Sequence, residues 1–155
     1  MNPIKIEVNS FVNLLPSDIC SIILNTNEWE KFEGYSILPG IAKAEYEKRA
    51  DSIVGSRIKV TNRDGSTHIE EIIEWDENRK VAFKFQEFDS PLKKFASHFI
   101  EEWYFAVSGA GTTISRIMIM YPKNIYGSII LKPISLLMKK ALKKNLEQLS
   151  QDSIN

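Results

Sequence analysis

Four charged residues share a strand phase with apolar neighbours: Glu71, Glu87, Glu101 and Arg116. A charge among apolar side chains is costly unless it is paired or wet. Such positions serve as structural ion pairs, as rim positions bathed in water, or as polar anchors for a ligand head group. An arginine cannot shed its charge, so a buried Arg116 demands a carboxylate or another acceptor. Glu101 is the nearest candidate. Glu71 and Glu87 have no cation so placed. They are the candidate acid and base for proton-transfer chemistry, with Arg116 orienting a ligand oxygen.

Other reactive residue types suggest little chemistry. Cys20, the single cysteine, lies between Ile19 and Ile22 and reads as a small buried hydrophobe. One cysteine excludes a disulfide within the chain and favours a reducing compartment. The two histidines, His68 and His98, both fall in the outward phase. No His, Cys or carboxylate cluster has metal-ligand spacing, so neither a metal nor a cofactor is expected. Gly109-Ala110-Gly111 lacks a following helix and reads as a hairpin turn rather than a phosphate loop.

Lys+Arg and Asp+Glu balance at 20 each in 155 residues, so net charge makes no case for nucleic acid. Hydrophobic residues make up 43%, enough for a real core in one domain spanning 1–155. The start, Met1-Asn2-Pro3-Ile4-Lys5, has no apolar stretch behind a basic head. No apolar run reaches the ~18 residues of a membrane span. A soluble, cytoplasmic protein is expected.

Strands must position the charged set. Ile4, Ile6 and Val8 alternate with Lys5, Glu7 and Asn9, a half-buried strand. Pro16 opens a helix with Ser17 and Asp18 in its first turn. Asn25 and Thr26 break it. Asn27 can cap a second short helix, anchored by Trp29 and Phe32 and ended by Gly34. Strand patterns then follow over 42–47, 57–62, 66–75, 81–88, 97–107 and 112–121. Turns at Pro39-Gly40, Asp64-Gly65, 76–80 and Gly109-Ala110-Gly111 separate many of them, and 89–96 is a longer loop. Residues 122–132 suggest an irregular or short helical lead-in, with Pro133 in the first turn of the last helix.

In that helix Ile134, Leu137, Met138, Ala141, Leu142, Leu146 and Leu149 recur at i, i+3, i+4, i+7 spacing, one buried stripe. Consecutive strands on short turns make an antiparallel sheet, and helices segregated to one face make the class α+β. The order β-α-α-β6-α resembles the helix-grip fold of the START and birch-pollen-allergen superfamily, often labelled SRPBCC. Trp29 after the first helix, Gly55 opening the third strand, Glu74-Trp75-Asp76 before a turn and Gly111-Thr112 opening the last strand agree with it. The resemblance covers essentially the whole chain. It implies a curved seven-stranded antiparallel sheet gripping the C-terminal helix over an apolar cavity. Members bind lipids, sterols, polyketides or quinones; some are cyclases or dehydratases, and others act as co-chaperones. No invariant catalytic residue comes with the resemblance, so no role is carried over.

Hairpin geometry selects the inward face. If Arg63 pairs with Ser66, Val60 faces Ile69 and Ile58 faces Glu71. If Trp75 pairs with Val81, Ile73 faces Phe83 and Glu71 faces Phe85. If Val107 pairs with Thr112, Phe105 faces Ile114 and Trp103 faces Arg116. The expected ligand-binding wall is then Ile58, Val60, Glu71, Ile73, Phe83, Phe85, Glu101, Trp103, Phe105, Arg116 and Met118. Ile134, Leu137, Met138 and Ala141 of the helix face it.

The expected function is binding, or carriage, of an apolar small molecule or lipid. One rival is a cyclase or dehydratase using Glu71 or Glu87. Another is an interaction module with an incidental cavity. Lys139, Lys140, Lys143 and Lys144, with Lys132, form a solvated face that also allows weak contact with an anionic membrane. The Pro91-Leu92-Lys93-Lys94-Phe95 loop is placed to gate the pocket or touch that membrane. No feature of the sequence sets the oligomeric state.

Overall fold

The longest element is the C-terminal helix α2, Ile125–Asp152. Asn124 caps it, its side chain accepting from the Gly127 N–H at 2.9 Å. The helix therefore starts nine residues ahead of Ile134 and runs through Pro133. This corrects the expectation of an irregular lead-in. The N–H that a proline lacks would have met the carbonyl of Ile129, an exposed residue, so water can satisfy that carbonyl. The structure, a computed structural model, describes residues 1–89 and 91–154. Ser90, inside the expected 89–96 loop, and Asn155 lie outside the described residues.

Ahead of α2 come β1 (Ile4–Val12), α1 (Pro16–Leu24) and a short 3-10 helix at Thr26–Lys31. Asn25, rather than Asn27, caps that turn, accepting from the Asn27 N–H at 3.2 Å. A two-residue ribbon, β2 (Gly34–Tyr35) and β3 (Leu38–Pro39), precedes the main sheet. The sheet adds β4 (Ile41–Lys48), β5 (Arg57–Asn62), β6 (Thr67–Asp76), β7 (Lys80–Gln86), β8 (Ala96–Ser108) and β9 (Gly111–Pro122). Its seven strands lie in the order β1-β9-β8-β7-β6-β5-β4, with every neighbouring pair antiparallel. The architecture is the expected α+β sheet with a long C-terminal helix.

Side chains join the layers. The Trp29 indole N–H donates to the Ile23 carbonyl at 2.8 Å, and the Tyr46 hydroxyl donates to the Leu24 carbonyl at 2.7 Å. These two bonds satisfy carbonyls at the end of α1 that have no partner within the helix. At the other end of the molecule, a Cβ built on Gly127 would stand 2.0 Å from the Phe95 carbonyl oxygen. The 91–95 segment can rest against α2 only because residue 127 has no side chain.

The β8–β9 register is the expected one, with Trp103 opposite Arg116 and Phe105 opposite Ile114. Trp75 also lies opposite Val81 as expected. The start of β6 is inverted. The Asn62 N–H bonds the Ser66 carbonyl at 2.8 Å and closes a three-residue loop, Arg63-Asp64-Gly65. Gly65 holds φ at +88°, and Asp64 Oδ1 accepts from the Ser66 N–H at 2.9 Å. This is the three-residue hairpin with a left-handed third position, one residue longer than the expected turn. Ile58 therefore pairs with Glu70, Val60 with His68, and Arg57 with Glu71. A one-residue slip turns every side chain over. A bulge between Ile72 and Glu74 then restores the phase before Trp75.

Glu71 and Ile73 consequently leave the concave face, as does Ile69, which stands opposite Lys59 and Gln86. Ile72 takes the buried place expected of Ile73, which is 38% exposed. Glu87 lies beyond the end of β7 with φ at +56°. Glu71 and Glu87 both pair with Arg57 on the outer face, Glu71 at 3.4 Å. The assignment of these two glutamates to the cavity is corrected by that loop and that bulge.

Candidate functional site

The concave face of the sheet, α1, the β2–β3 ribbon and α2 enclose a cavity of about 420 Å³. Phe83, Phe85, Trp103 and Met118 line it from the sheet, and Ile134, Leu137 and Met138 from α2. Ile58, Val60, Phe105 and Ala141 are buried but lie in the core away from the cavity wall. Trp29, Phe88 and Phe99 add further rings. Trp29 meets Phe83 edge-on, with centroids 6.0 Å apart. The cavity reaches the surface beside Ile37, at the tip of the ribbon, and beside Pro91 and Leu92.

Strand alternation sets Glu101 and Arg116 among these rings. Phe83 lies opposite Glu101, and Trp103 opposite Arg116. Both side chains of the ion pair are 6% exposed, and Nη2 of Arg116 lies 2.9 Å from Oε2 of Glu101. Nε of Arg116 donates to the same oxygen at 3.3 Å. The other carboxylate oxygen accepts from the Trp103 indole N–H at 3.1 Å. Nη1 of Arg116 donates to Asn145 Oδ1 on α2 at 2.6 Å. The guanidinium also lies over the Trp103 ring, 4.1 Å from its centroid. This is a fully partnered ion pair, and the pairing of Arg116 with Glu101 is the one the sequence suggests.

Two further titratable residues enter the cavity from β6. Glu70 and His68 take the inward phase that the three-residue loop assigns to them. Glu70 is 6% exposed, and His68 Nε2 lies 3.2 Å from its Oε1. The imidazole stacks on Phe85, with centroids 5.3 Å apart, and tilts against Phe88. The outward placement expected of His68 is thus overturned by the register, whereas His98 stacks on Tyr121 away from the cavity. Burial pushes the Glu70 carboxyl above its ordinary range. His68 opposes that shift, the nearby charge of Glu101 adds to it, and Arg116 opposes it.

Glu70 and Asn145 were not singled out from the sequence, and His68 was placed outward. The loop motif with glycine in third place was the available signal for Glu70 and His68. Asn145 sits one helical turn after Ala141 on the apolar stripe, a polar residue in a buried phase. Among the described residues, no group of three or more His, Cys, Asp or Glu side chains could hold a metal ion. No helix among them is long and apolar enough to cross a membrane.

The lysine face is partly engaged. Lys144 pairs with Glu33 at 2.7 Å, and Lys140 lies over the Tyr35 ring. Beside it, Tyr126, Ile129 and Leu136 form an exposed apolar stripe on the first half of α2.

No protein-family model and no curated protein sequence matches this chain. Solved structures match its fold. TTHA0849 from Thermus thermophilus superposes with a TM-score of 0.72 at 15% identity, covering 97% of each chain. Ginseng major latex-like protein 151 from Panax ginseng gives 0.71 at 16% identity over 99% of each chain. Ara h 8.0201 gives 0.62 at 15% identity, covering 91% of this chain and 95% of its own. These likenesses bear out the fold resemblance drawn from the order of elements.

Proposed function

We propose that this chain, a domain with the helix-grip fold, binds an apolar small molecule or lipid in the cavity beneath α2. The supporting observation is the cavity itself. Its volume of about 420 Å³ falls within the ~300–1,000 Å³ typical of ligand pockets. Its walls are mainly aromatic and aliphatic, with polar groups at the rim and at depth, the composition expected of a site that orients an apolar ligand. An environment-sensitive apolar dye should bind the native protein saturably, about one to one. Met138→Trp, which places a larger side chain on the cavity wall, should weaken that uptake. Native mass spectrometry of protein purified from cells should show a retained ligand as a mass shift. If no dye and no lipid from a broad panel binds the folded protein, the reading fails.

A second reading has its own observation. The exposed stripe of Tyr126, Ile129 and Leu136 lies on the helix that roofs the cavity, with Lys132, Lys139 and Lys143 close to it. Apolar side chains flanked by lysines suit the surface of an anionic membrane. Contact there would bring the cavity mouth beside Leu92 to a source of apolar ligand.

A further inference from the structure

The charges around the cavity do not balance. Glu28, Asp64, Glu70, Glu101 and Asp152 line it, against the fixed cations Lys31 and Arg116. Lys31 is occupied at the rim by Glu28 at 2.6 Å and Asp152 at 3.4 Å. Arg116 is occupied at depth by Glu101 and Asn145. Glu70 is left over. Among the described residues, the one hydrogen bond to its carboxyl group involves His68. The groups that face it are His68 on its own strand, Glu101 on β8 and Arg116 on β9. Its partners across β5 and β7 are Ile58 and Phe85, which carry no charge. The inner end of the cavity therefore lacks one positive charge.

The walls suit a cation as well. His68 stacks on Phe85, and Phe88 and Phe99 meet with ring centroids 5.1 Å apart. Aromatic faces attract an ammonium most strongly where water is excluded. We infer that the cavity selects an apolar molecule carrying one basic nitrogen, its ammonium paired with Glu70 and its apolar body along the aromatic wall. This rests on the cavity reading above and narrows its ligand class. Burial raises the Glu70 carboxyl above its ordinary range, a cost that a neighbouring ammonium offsets. Entry of an ammonium supplies the missing charge. The carboxylate and the ammonium form an ion pair, and the nitrogen keeps all its hydrogens. Glu101 already neutralises Arg116, and each guanidinium nitrogen donates to Glu101 or Asn145, which disfavours an acidic head group there.

Three ligands of equal chain length separate the cases: dodecylamine, dodecan-1-ol and dodecanoic acid, titrated calorimetrically into the intact protein near neutral pH. The amine should bind about tenfold more tightly than the alcohol, the usual advantage of a charge-assisted hydrogen bond over a neutral one. The acid should bind more weakly than either. Amine affinity should fall as pH is lowered and Glu70 takes up a proton, whereas alcohol affinity should not. In Glu70→Gln the ratio of amine to alcohol affinity should fall towards unity. Should that variant fail to fold, the pH dependence of the amine-to-alcohol affinity ratio in the unmodified protein still decides. Equal or tighter binding of dodecanoic acid, or an amine-to-alcohol ratio that does not change with pH, overturns the inference and leaves the cavity reading standing. If none of the three binds, the cavity reading falls and the inference falls with it.

Discussion

Arg116 on β9 and Asn145 on α2 meet at 2.6 Å, tying the last strand of the sheet to the helix that covers it. The same guanidinium holds Glu101, which holds the Trp103 indole. A charge this deep is tolerated because each guanidinium nitrogen and each carboxylate oxygen of the pair has a partner.

Breaking one side of the pair should therefore be costly. Arg116→Met strands Glu101, and Glu101→Leu strands Arg116. Each should lower unfolding free energy by about 3 kcal/mol in urea titrations, since a lone charge is left buried. The double substitution should cost clearly less than the sum of the two. Additive losses would mean that the two side chains do not act as a unit.

Glu70 should make stability depend on pH. Its carboxyl is raised above the ordinary 4.5, so the folded protein holds the proton more tightly than the unfolded chain does. The favourable contribution is complete below about pH 4.5 and is lost as pH rises through the raised value. Glu70→Gln cannot ionise. Its stability relative to the unmodified protein should therefore improve as pH is raised from 4 towards 8. A difference between the two that stays flat with pH would show that Glu70 ionises freely in the fold.

Cys20 should be inert in the native state. It is fully buried, and burial, reinforced by the charges of Glu77 and Asp76, pushes its thiol up to about 12. A thiol-reactive chromophore should label it only on unfolding, at a rate that rises with denaturant. Rapid labelling of the folded protein would place the thiol within reach of solvent.

The exposed stripe on α2 should govern any membrane contact. Co-sedimentation with anionic vesicles should fall when Ile129 and Leu136 are replaced by glutamate. It should also fall with added salt, because each lysine contributes only about 1 kcal/mol near such a surface. Lys144→Ala should matter less, since that side chain is committed to Glu33. Equal sedimentation with neutral and anionic vesicles would remove the electrostatic mechanism.

Gly127→Ala should loosen the 91–95 segment. The new methyl would meet the Phe95 carbonyl oxygen at 2.0 Å, so backbone must shift. Overpacking of this kind costs about 1–3 kcal/mol. Exchange of the Lys123 N–H, which bonds that same carbonyl at 2.8 Å, should speed up. Unchanged exchange would show that the segment yields without losing its seat.

Local pattern alone determined the order of the main elements, the fold class and the pairing of β8 with β9, though not the short β2–β3 ribbon. Alternation in strands and the stripe at 134–149 are short-range signals, and short-range forces generate both. Opposed strands then placed Arg116 beside Trp103 and one step from Glu101 without knowledge of the helix. Only the tertiary structure decided which glutamate of β6 turns inward. That choice hung on one residue of loop length at Arg63-Asp64-Gly65, and on a bulge at Ile73 that cancels the slip before Trp75. Because side chains alternate with period two, an error of one residue exchanges Glu71 and Ile73 for Glu70 and Ile72, and brings His68 inside. Asn145 escaped notice for a related reason. A helix pattern says which face is covered, and only the docked helix says which side chain on that face meets the guanidinium.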